Sequence, residues 1–327
     1  MSSIASNDSR IAPISLGWSR LPPEYAIPER APSKVEAQEY CRRLARSHYE
    51  NFSVATWFLP ERLRQHFFNI YAYCRISDDL GDEVGDPHAS LEMLGQWQEE
   101  LDACYAGNPR HPVFVALEET IQQFDIPKQP FDDLLKAFRQ DQTITRYETF
   151  EDLLGYCRYS ANPVGHLVLY LCGYRDPERQ TLSDSTCTAL QLANFWQDVR
   201  VDYSKDRVYL PQADMQHFGV TDATIAAGIA TPEFRALLRY EVEYTRDMFE
   251  QGLPLIGKVN RDLALDLDLF SRGGLEILRA IERQDYDVLS ARPAITKGTK
   301  LQLAFRALSG KMLPFLRLGP GGAGKAA

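Results

Sequence analysis

Asp78 and Asp82 stand four residues apart in the segment Tyr71-Ala-Tyr-Cys-Arg-Ile-Ser-Asp-Asp-Leu-Gly-Asp-Glu83. On a helix that spacing puts both carboxylates on one face, one turn from each other. Asp79 and Glu83 make a second i, i+4 pair beside them, while Tyr71 and Arg75 fall on the Asp78 stripe. A second segment, Gln191-Leu-Ala-Asn-Phe-Trp-Gln-Asp-Val-Arg-Val-Asp202, repeats the theme. Gln191, Asn194, Asp198 and Asp202 occupy the period that a buried face gives to Leu or Val, and Leu192, Ala193, Phe195 and Trp196 flank them. A polar stripe bordered by aromatics reads as the lining of a cavity.

Like charges at i, i+4 cost a helix roughly 0.2–0.5 kcal/mol each, so two acidic stripes call for a compensating cation. Carboxylates without His or Cys neighbours suit a hard ion, Mg²⁺ above all, completed by water and phosphate oxygens. For any single D-x-x-x-D a solvated acidic face is the plainer explanation; two stripes, each extended by amide or Arg groups, argue for a site. A di-iron carboxylate bundle would need Glu-x-x-His on two helices, and the sequence contains none.

These stripes need long helices to carry them. The 327 residues suggest two domains by length alone, and 44% apolar with 25% charged residues exclude global disorder. A net charge of −9, from 36 basic and 45 acidic residues, disfavours nucleic acid as a partner. Six scattered cysteines without a C-x-x-C pair disfavour both a disulfide framework and a zinc finger. The start MSSIASNDSR lacks the basic and apolar regions of a secretory signal, and no run of 18 apolar residues occurs, which points to the cytoplasm.

Five prolines (13, 22, 23, 28, 32) mark residues 1–33 as an extended arm packed loosely on the body. From Ser33 onward, apolar residues recur at three- and four-residue spacing between Pro and Gly breaks. The pattern predicts helices over 35–49, 61–84, 89–106, 112–124, 130–142, 149–173, 179–204, 232–251, 258–284 and 297–316, and no convincing strand. There is no G-x-G-x-x-G, no Walker loop and no internal repeat, which argues against a dinucleotide domain. The expectation is therefore all-α: one domain over 34–318, a helical bundle around a central cavity, with a flexible tail at 319–327.

The residues from about His48 to Lys311 resemble the squalene/phytoene synthase family of all-α isoprenoid synthases. The resemblance is carried by Tyr71-Ala-x-Cys-Arg-x-x-Asp-Asp-x-x-Asp-Glu83, Gly155-Tyr-Cys-x-x-x-Ala-x-x-Val-Gly165, Asn194-x-x-x-Asp-Val-x-x-Asp202 and Arg207-Val-Tyr-Leu-Pro211. It implies two Asp motifs facing each other across a cavity and holding Mg²⁺ ions that bind a prenyl diphosphate. Asp78, Asp82, Asp198 and Asp202 would bind metal, supported by Asp79 and Glu83. Arg75, Arg207 and Tyr209 would contact the substrate, the arginines through diphosphate oxygens. Gln191 and Asn194 would reach metal-bound water or diphosphate, and Tyr71 and Tyr156 would stand near the reacting carbons. Asn51 and Ser53 fall where the family places hydroxyl residues against a diphosphate, with Asn51 departing from that type.

Where condensing members read Ala-Gly-x-Val-Gly, this chain reads Ala161-Asn-Pro-Val-Gly165. Pro163 removes an N–H and frees the Tyr159 carbonyl, and Asn162 adds an amide beside the break. The segment from Tyr159 to Gly165, with Asn194-Phe-Trp-Gln-Asp198, resembles the hydroxysqualene synthase branch of bacterial hopanoid pathways. That branch takes presqualene diphosphate, ionises it, rearranges the cation and adds water, without NADPH. Tyr71, Phe52, Phe195 and Tyr156 would supply aromatic faces to the cation. Asn162 or the Tyr159 carbonyl would orient the water; the plainer alternative is that Asn-Pro merely kinks a helix.

Head-to-head condensation of two prenyl diphosphates is the alternative reaction. A non-enzymatic scaffold would have no use for both stripes together with Arg75 and Arg207. His48, His166, Cys157 and Cys172 read as structural, and Asp141 as a charge partner of a cavity arginine or a surface cap. Lys311-Met-Leu-Pro-Phe-Leu-Arg-Leu318 suits a peripheral membrane contact, or more simply a helix docked on the core. Pathway enzymes are the remaining expected partners.

Overall fold

Proline in the first turn starts many of the helices, where its missing N–H is one the helix leaves unpaired in any case. A polar N-cap often completes the start. Asp86 accepts from Ala89 N at the head of α3 (Pro87–Tyr105), Asp176 from Arg179 N at α8 (Pro177–Ser204), and Thr231 from Phe234 N at α11 (Pro232–Gly252). The computed structural model describes residues 21–47 and 60–294. The other helices are α1 (Lys34–Ser47), α2 (Glu61–Asp82), α4 (Pro112–Phe124), α5 (Gln129–Gln140), α6 (Phe150–Ser160), α7 (Asn162–Leu171), α9 (Gln212–Phe218), α10 (Asp222–Ala227) and α12 (Arg261–Arg283). Among the described residues there is no strand, only an isolated parallel bridge between Arg146 and Val208. No helix among them is long and apolar enough to cross a membrane.

Two apolar cores share the bundle. The first gathers the buried faces of α1 to α5 around Tyr73, Trp97, Phe114 and Phe131, with Leu167 and Leu171 of α7. Its aromatic polar atoms are satisfied: Tyr73 donates to the Phe131 carbonyl at 2.8 Å and Trp97 to Ser77 Oγ at 2.9 Å. The second gathers α6 and α8 to α12 around Trp196, Phe234, Leu238 and Phe249. Trp196 there donates to Thr245 Oγ1 at 2.7 Å. Helix α2 packs on α1, α3, α4, α5 and α7, and α8 packs on α6, α7, α10, α11 and α12. The two stripe-bearing helices thus belong to different cores, with α7 between them.

The structure departs from the expected elements at definite points. The helix expected over 149–173 is two helices, because Pro163 cannot donate and Ala161 (φ −118°, ψ −50°) turns the chain between them. α12 begins at Arg261 rather than near 258, since Leu253–Lys258 is a 3₁₀ helix and Asn260 caps the next start. α9 and α10 were not expected; each is closed by a left-handed glycine, Gly219 and Gly228. The arm is not loose over 21–33: Leu21 and Tyr25 are buried in the first core, and the Tyr40 hydroxyl donates to the Glu24 carbonyl at 2.9 Å. Asn51, Ser53, Phe52, His48 and the whole 297–316 helix, with Lys311 to Leu318, lie outside the described residues.

α8 and the end of α11 approach closely at Gly252, where a methyl group would stand 3.0 Å from the Thr186 amide nitrogen and 3.1 Å from the Leu182 carbonyl oxygen. Backbone atoms cannot turn aside as a side chain can. Gly252→Ala is expected to lower stability by about 1–3 kcal/mol, read as an earlier urea midpoint with an unchanged slope.

Candidate active site

Almost the whole circumference of α2 is core: Ala72, Tyr73, Ile76, Ser77, Asp79, Leu80 and Gly81 are buried. Tyr71, Arg75, Asp78 and Asp82 are partly open and lie along one stripe. Helical period alone produces this face once the apolar residues have been buried. On α8, Leu192, Ala193, Phe195 and Trp196 are buried while Gln191, Asn194, Asp198 and Asp202 remain partly or fully open.

Charge contacts tie the two stripes to one site. Asp82 Oδ1 accepts from Arg207 Nη1 at 2.9 Å, and Lys205 Nζ stands 3.5 Å from Asp82 Oδ2. Both cations follow the end of α8. Asp198 accepts from Asn194 Nδ2 at 3.0 Å and is gripped by Arg292 through Nη2 at 2.9 Å and Nε. Arg292 also donates to Gln197 Oε1 at 3.3 Å.

The electrostatics show carboxylates crowded together. Asp78 is pushed up to about 6 by burial and then by Asp82, against the pull of Arg75. Half of its side-chain surface is open even so. Asp202 is pushed up to about 7 by burial and by Asp198, with Arg207 and Lys205 opposing and Asp82 of the facing helix adding to the rise. Asp141 is likewise pushed up to about 7 by burial, and Arg207 and the Tyr156 hydroxyl act against the rise.

Asp141 links the acidic stripes to an aromatic wall. Its Oδ2 accepts from Tyr156 Oη at 2.8 Å, and its Oδ1 is buried without a hydrogen-bond partner among the described residues. Asp141 is therefore a charge partner of Arg207 as well as the residue that caps the end of α5. Tyr209 stacks on Phe195 with centroids 3.8 Å apart and ring planes 9° from parallel. Tyr147 and Tyr156 both stand 5.9 Å from Tyr209. The segment bearing Arg207 and Tyr209 is fixed by Val208 N to Thr145 O and Gln212 N to Tyr147 O, both 2.9 Å. Arg146 ties it further, donating to the Asp206 carbonyl at 2.6 Å.

Two expectations need correction. Asp79 is 4% exposed and turned away from the Asp78 stripe. Its oxygens are occupied by Arg75, through Nε at 3.1 Å and Nη2, and by Tyr25 Oη at 2.7 Å. It is an anchor for Arg75 and not an open ligand position. Glu83 lies one residue past the end of α2, exposed, where its N–H caps the Asp79 carbonyl; its carboxylate is not on the stripe. Asn162 is buried at the α6–α7 break, with Oδ1 accepting from Thr188 Oγ1 at 2.9 Å, so it does more than kink the chain. His166 pairs with Asp184 at 2.7 Å, a structural role as expected.

Lys205, Arg292, Tyr147 and Tyr25 were not singled out from the sequence. Lys205 carries a local signal, a cation three residues past Asp202. Arg292 and Tyr25 carry none, being 94 and 54 residues from their partners.

Among the described residues, no three His, Cys, Asp or Glu side chains converge closely enough to hold a metal unaided. The donors are paired carboxylates with nearby cations, which is the chemistry of a site completed by a multiply charged oxyanion. Such a ligand would be met by Arg207, Lys205, Arg75 and Arg292 and backed by an aromatic wall.

The sequence profile of the family described as squalene/phytoene synthase matches residues 45–299. The 15-cis-phytoene synthase of Synechococcus elongatus is 31% identical over 289 residues, which cover 84% of this chain and 94% of that protein. The crystal structure of squalene synthase HpnC from Alicyclobacillus acidocaldarius is 45% identical at a TM-score of 0.74, covering 83% of this chain and 98% of that one. A dehydrosqualene synthase solved with a ligand is 27% identical at a TM-score of 0.78, covering 86% and 98%. The fold is the isoprenoid-synthase helical architecture, and the substrates handled by this group of proteins are prenyl diphosphates. By its profile match, its close relatives and the facing acidic stripes, the chain belongs to the squalene/phytoene synthase family.

Proposed function

We propose that the protein is a hydroxysqualene synthase, converting presqualene diphosphate and water to hydroxysqualene and diphosphate. The observation that carries this reading is the Asn162–Thr188 hydrogen bond at the α6–α7 break, which holds a polar side chain beside the α8 stripe. The 45% identity to a solved squalene synthase supports a squalene-type substrate. Condensation of two prenyl diphosphates is the second reading, supported by the phytoene synthases at about 30% identity.

Mg²⁺ would be held by Asp78 and Asp82 on one side and by Asp198 and Asp202 on the other. The fit rests on the all-oxygen donor set and on the burial, with mutual repulsion second, that lifts Asp78 and Asp202 above the usual carboxylate range. Bound there, the ions would supply the positive charge that makes diphosphate a better leaving group. The chain's own groups do the rest. Arg207 and Arg75 present guanidinium forks to the diphosphate oxygens. Phe195, Tyr209 and Tyr156 offer π faces that stabilise the carbocation without attacking it.

The C–O bond to diphosphate breaks with its electron pair leaving on diphosphate. The cyclopropylcarbinyl cation rearranges, and a water held by Asn162 forms the new C–O bond. The water's proton departs with diphosphate. No reductant enters.

Purified protein would be given Mg²⁺ without NADPH, and presqualene diphosphate and farnesyl diphosphate would be offered separately. The expected result is a squalene alcohol from the first and nothing from the second, identified by mass spectrometry. Presqualene diphosphate formed from farnesyl diphosphate would replace this reading with the condensing one. In the same assay Asn162→Ala is expected to shift product away from the alcohol; an unchanged ratio would remove Asn162 from the water-holding role.

A further inference from the structure

Tyr25 belongs to the arm, far in sequence from the acidic stripes, yet its hydroxyl ends on one of their neighbours. The ring is 3% exposed and packs in the first core together with Leu21. Its Oη donates to Asp79 Oδ2 at 2.7 Å. Asp79 is 4% exposed, so its charge is stable only if its oxygens are met by donors. Arg75 meets both of them, through Nη2 to Oδ1 and through Nε to Oδ2 at 3.1 Å. Oδ2 is therefore shared between Arg75 and Tyr25. The remaining nitrogen of the fork, Arg75 Nη1, points to Asp78 Oδ2 at 3.4 Å, on the open stripe. A continuous polar chain runs from the arm to the site: Tyr25 to Asp79, Asp79 to Arg75, Arg75 to Asp78.

We propose that Tyr25 is a positioning residue for the first acidic stripe. By taking one lone pair of Asp79, its hydroxyl fixes how that carboxylate grips Arg75, and so sets the direction in which the guanidinium faces the diphosphate position. The arm thus completes the site from behind. The inference rests on the reading of the stripes as a diphosphate site, and goes beyond it by giving the arm a share in binding.

The arm has a second hydroxyl contact that serves as a control. Tyr40 of α1 donates to the Glu24 carbonyl at 2.9 Å, which holds the same segment without touching Asp79. If Tyr25 only docked the arm, Tyr25→Phe and Tyr40→Phe would act alike.

The test is calorimetric titration of the full chain with inorganic pyrophosphate in the presence of Mg²⁺, needing no turnover. A lost hydrogen bond to a charged group corresponds to roughly a tenfold weakening, which is the effect expected for Tyr25→Phe. Tyr40→Phe is expected to bind within about twofold of the original chain, a difference too small to count as a lost hydrogen bond. Tyr25→Phe combined with Asp79→Asn is expected to bind no more weakly than Asp79→Asn alone, since both act through one chain of contacts. Full-strength binding by Tyr25→Phe, equal losses in both phenylalanine variants, or additive losses in the double variant would each overturn the proposal. Failure of the original chain to bind pyrophosphate would overturn the site reading itself and this inference with it.

Discussion

Asp202→Asn is expected to lower turnover of a prenyl diphosphate by about a hundred- to a thousandfold, the scale on which loss of one preorganised electrostatic group acts at a developing anion. The effect is electrostatic. Asn keeps the shape of the side chain and removes the charge. Asp202 stands on the α8 stripe one turn beyond Asp198, and its carboxyl is pushed up to about 7 by burial and by Asp198. A buried carboxyl beside a second one is an arrangement that a bound cation would relieve. In the proposed site, its removal would leave Asp198 and the Asp78–Asp82 pair with less attraction for Mg²⁺. The metal-free variant is expected to unfold no earlier than the original chain, because a repulsion has been relieved. Thermal unfolding with and without Mg²⁺ and pyrophosphate checks this: the original chain gains stability on addition, and the variant does not. Turnover within tenfold of the original would place the metal elsewhere.

Glu241→Gln is expected to stabilise the protein by about 3 kcal/mol at pH 7. Glu241 lies on α11, fully buried in the second core, with the Asp214 carboxyl of α9 as its polar neighbour. Burial first, and the neighbouring Asp214 of α9 second, push its carboxyl up from 4.5 to about 9. The folded chain therefore holds this group neutral at pH 7, while the unfolded chain releases its proton. Its contribution is fully present below about 4.5 and is lost progressively as pH rises towards about 9. Urea unfolding at pH 5 and pH 8.5 reads the effect. The variant gains more at the higher pH, where the original chain carries the larger penalty. An equal difference at both values would mean that Glu241 is ionised in the fold.

The acidic stripes were legible because helical period is a local property: Asp78 with Asp82, and Asp198 with Asp202, share a face on any α-helix. Part of the aromatic border was legible for the same reason, since Phe195 adjoins the stripe, whereas Trp196 turns into the second core. What period does not reveal is which way a neighbouring pair points. Asp79 and Glu83 looked like a second ligand pair, yet Asp79 is claimed by Arg75 one turn behind it and by Tyr25 from the arm.

Contacts between distant segments were the other blind spot. Arg292 reaches Asp198 from beyond α12, and Tyr147 enters the aromatic wall only because the segment at 207–212 is tied to it. Pro163 marked a disturbance in the 149–173 stretch, but its depth was set by tertiary packing, which let the chain turn at Ala161 and bury Asn162. α9 and α10 are too short for any apolar period to announce them.

The central claim is that the stripes of α2 and α8 act as one site for a metal-bound diphosphate. Crystals grown with Mn²⁺ and inorganic pyrophosphate test it directly, because manganese is located by its anomalous scattering. The expected result is manganese peaks against the carboxylates of Asp78 or Asp82 and of Asp198 or Asp202, with pyrophosphate between them and Arg207 released from Asp82. Pyrophosphate bound away from both stripes, or manganese confined to a surface carboxylate, would contradict it.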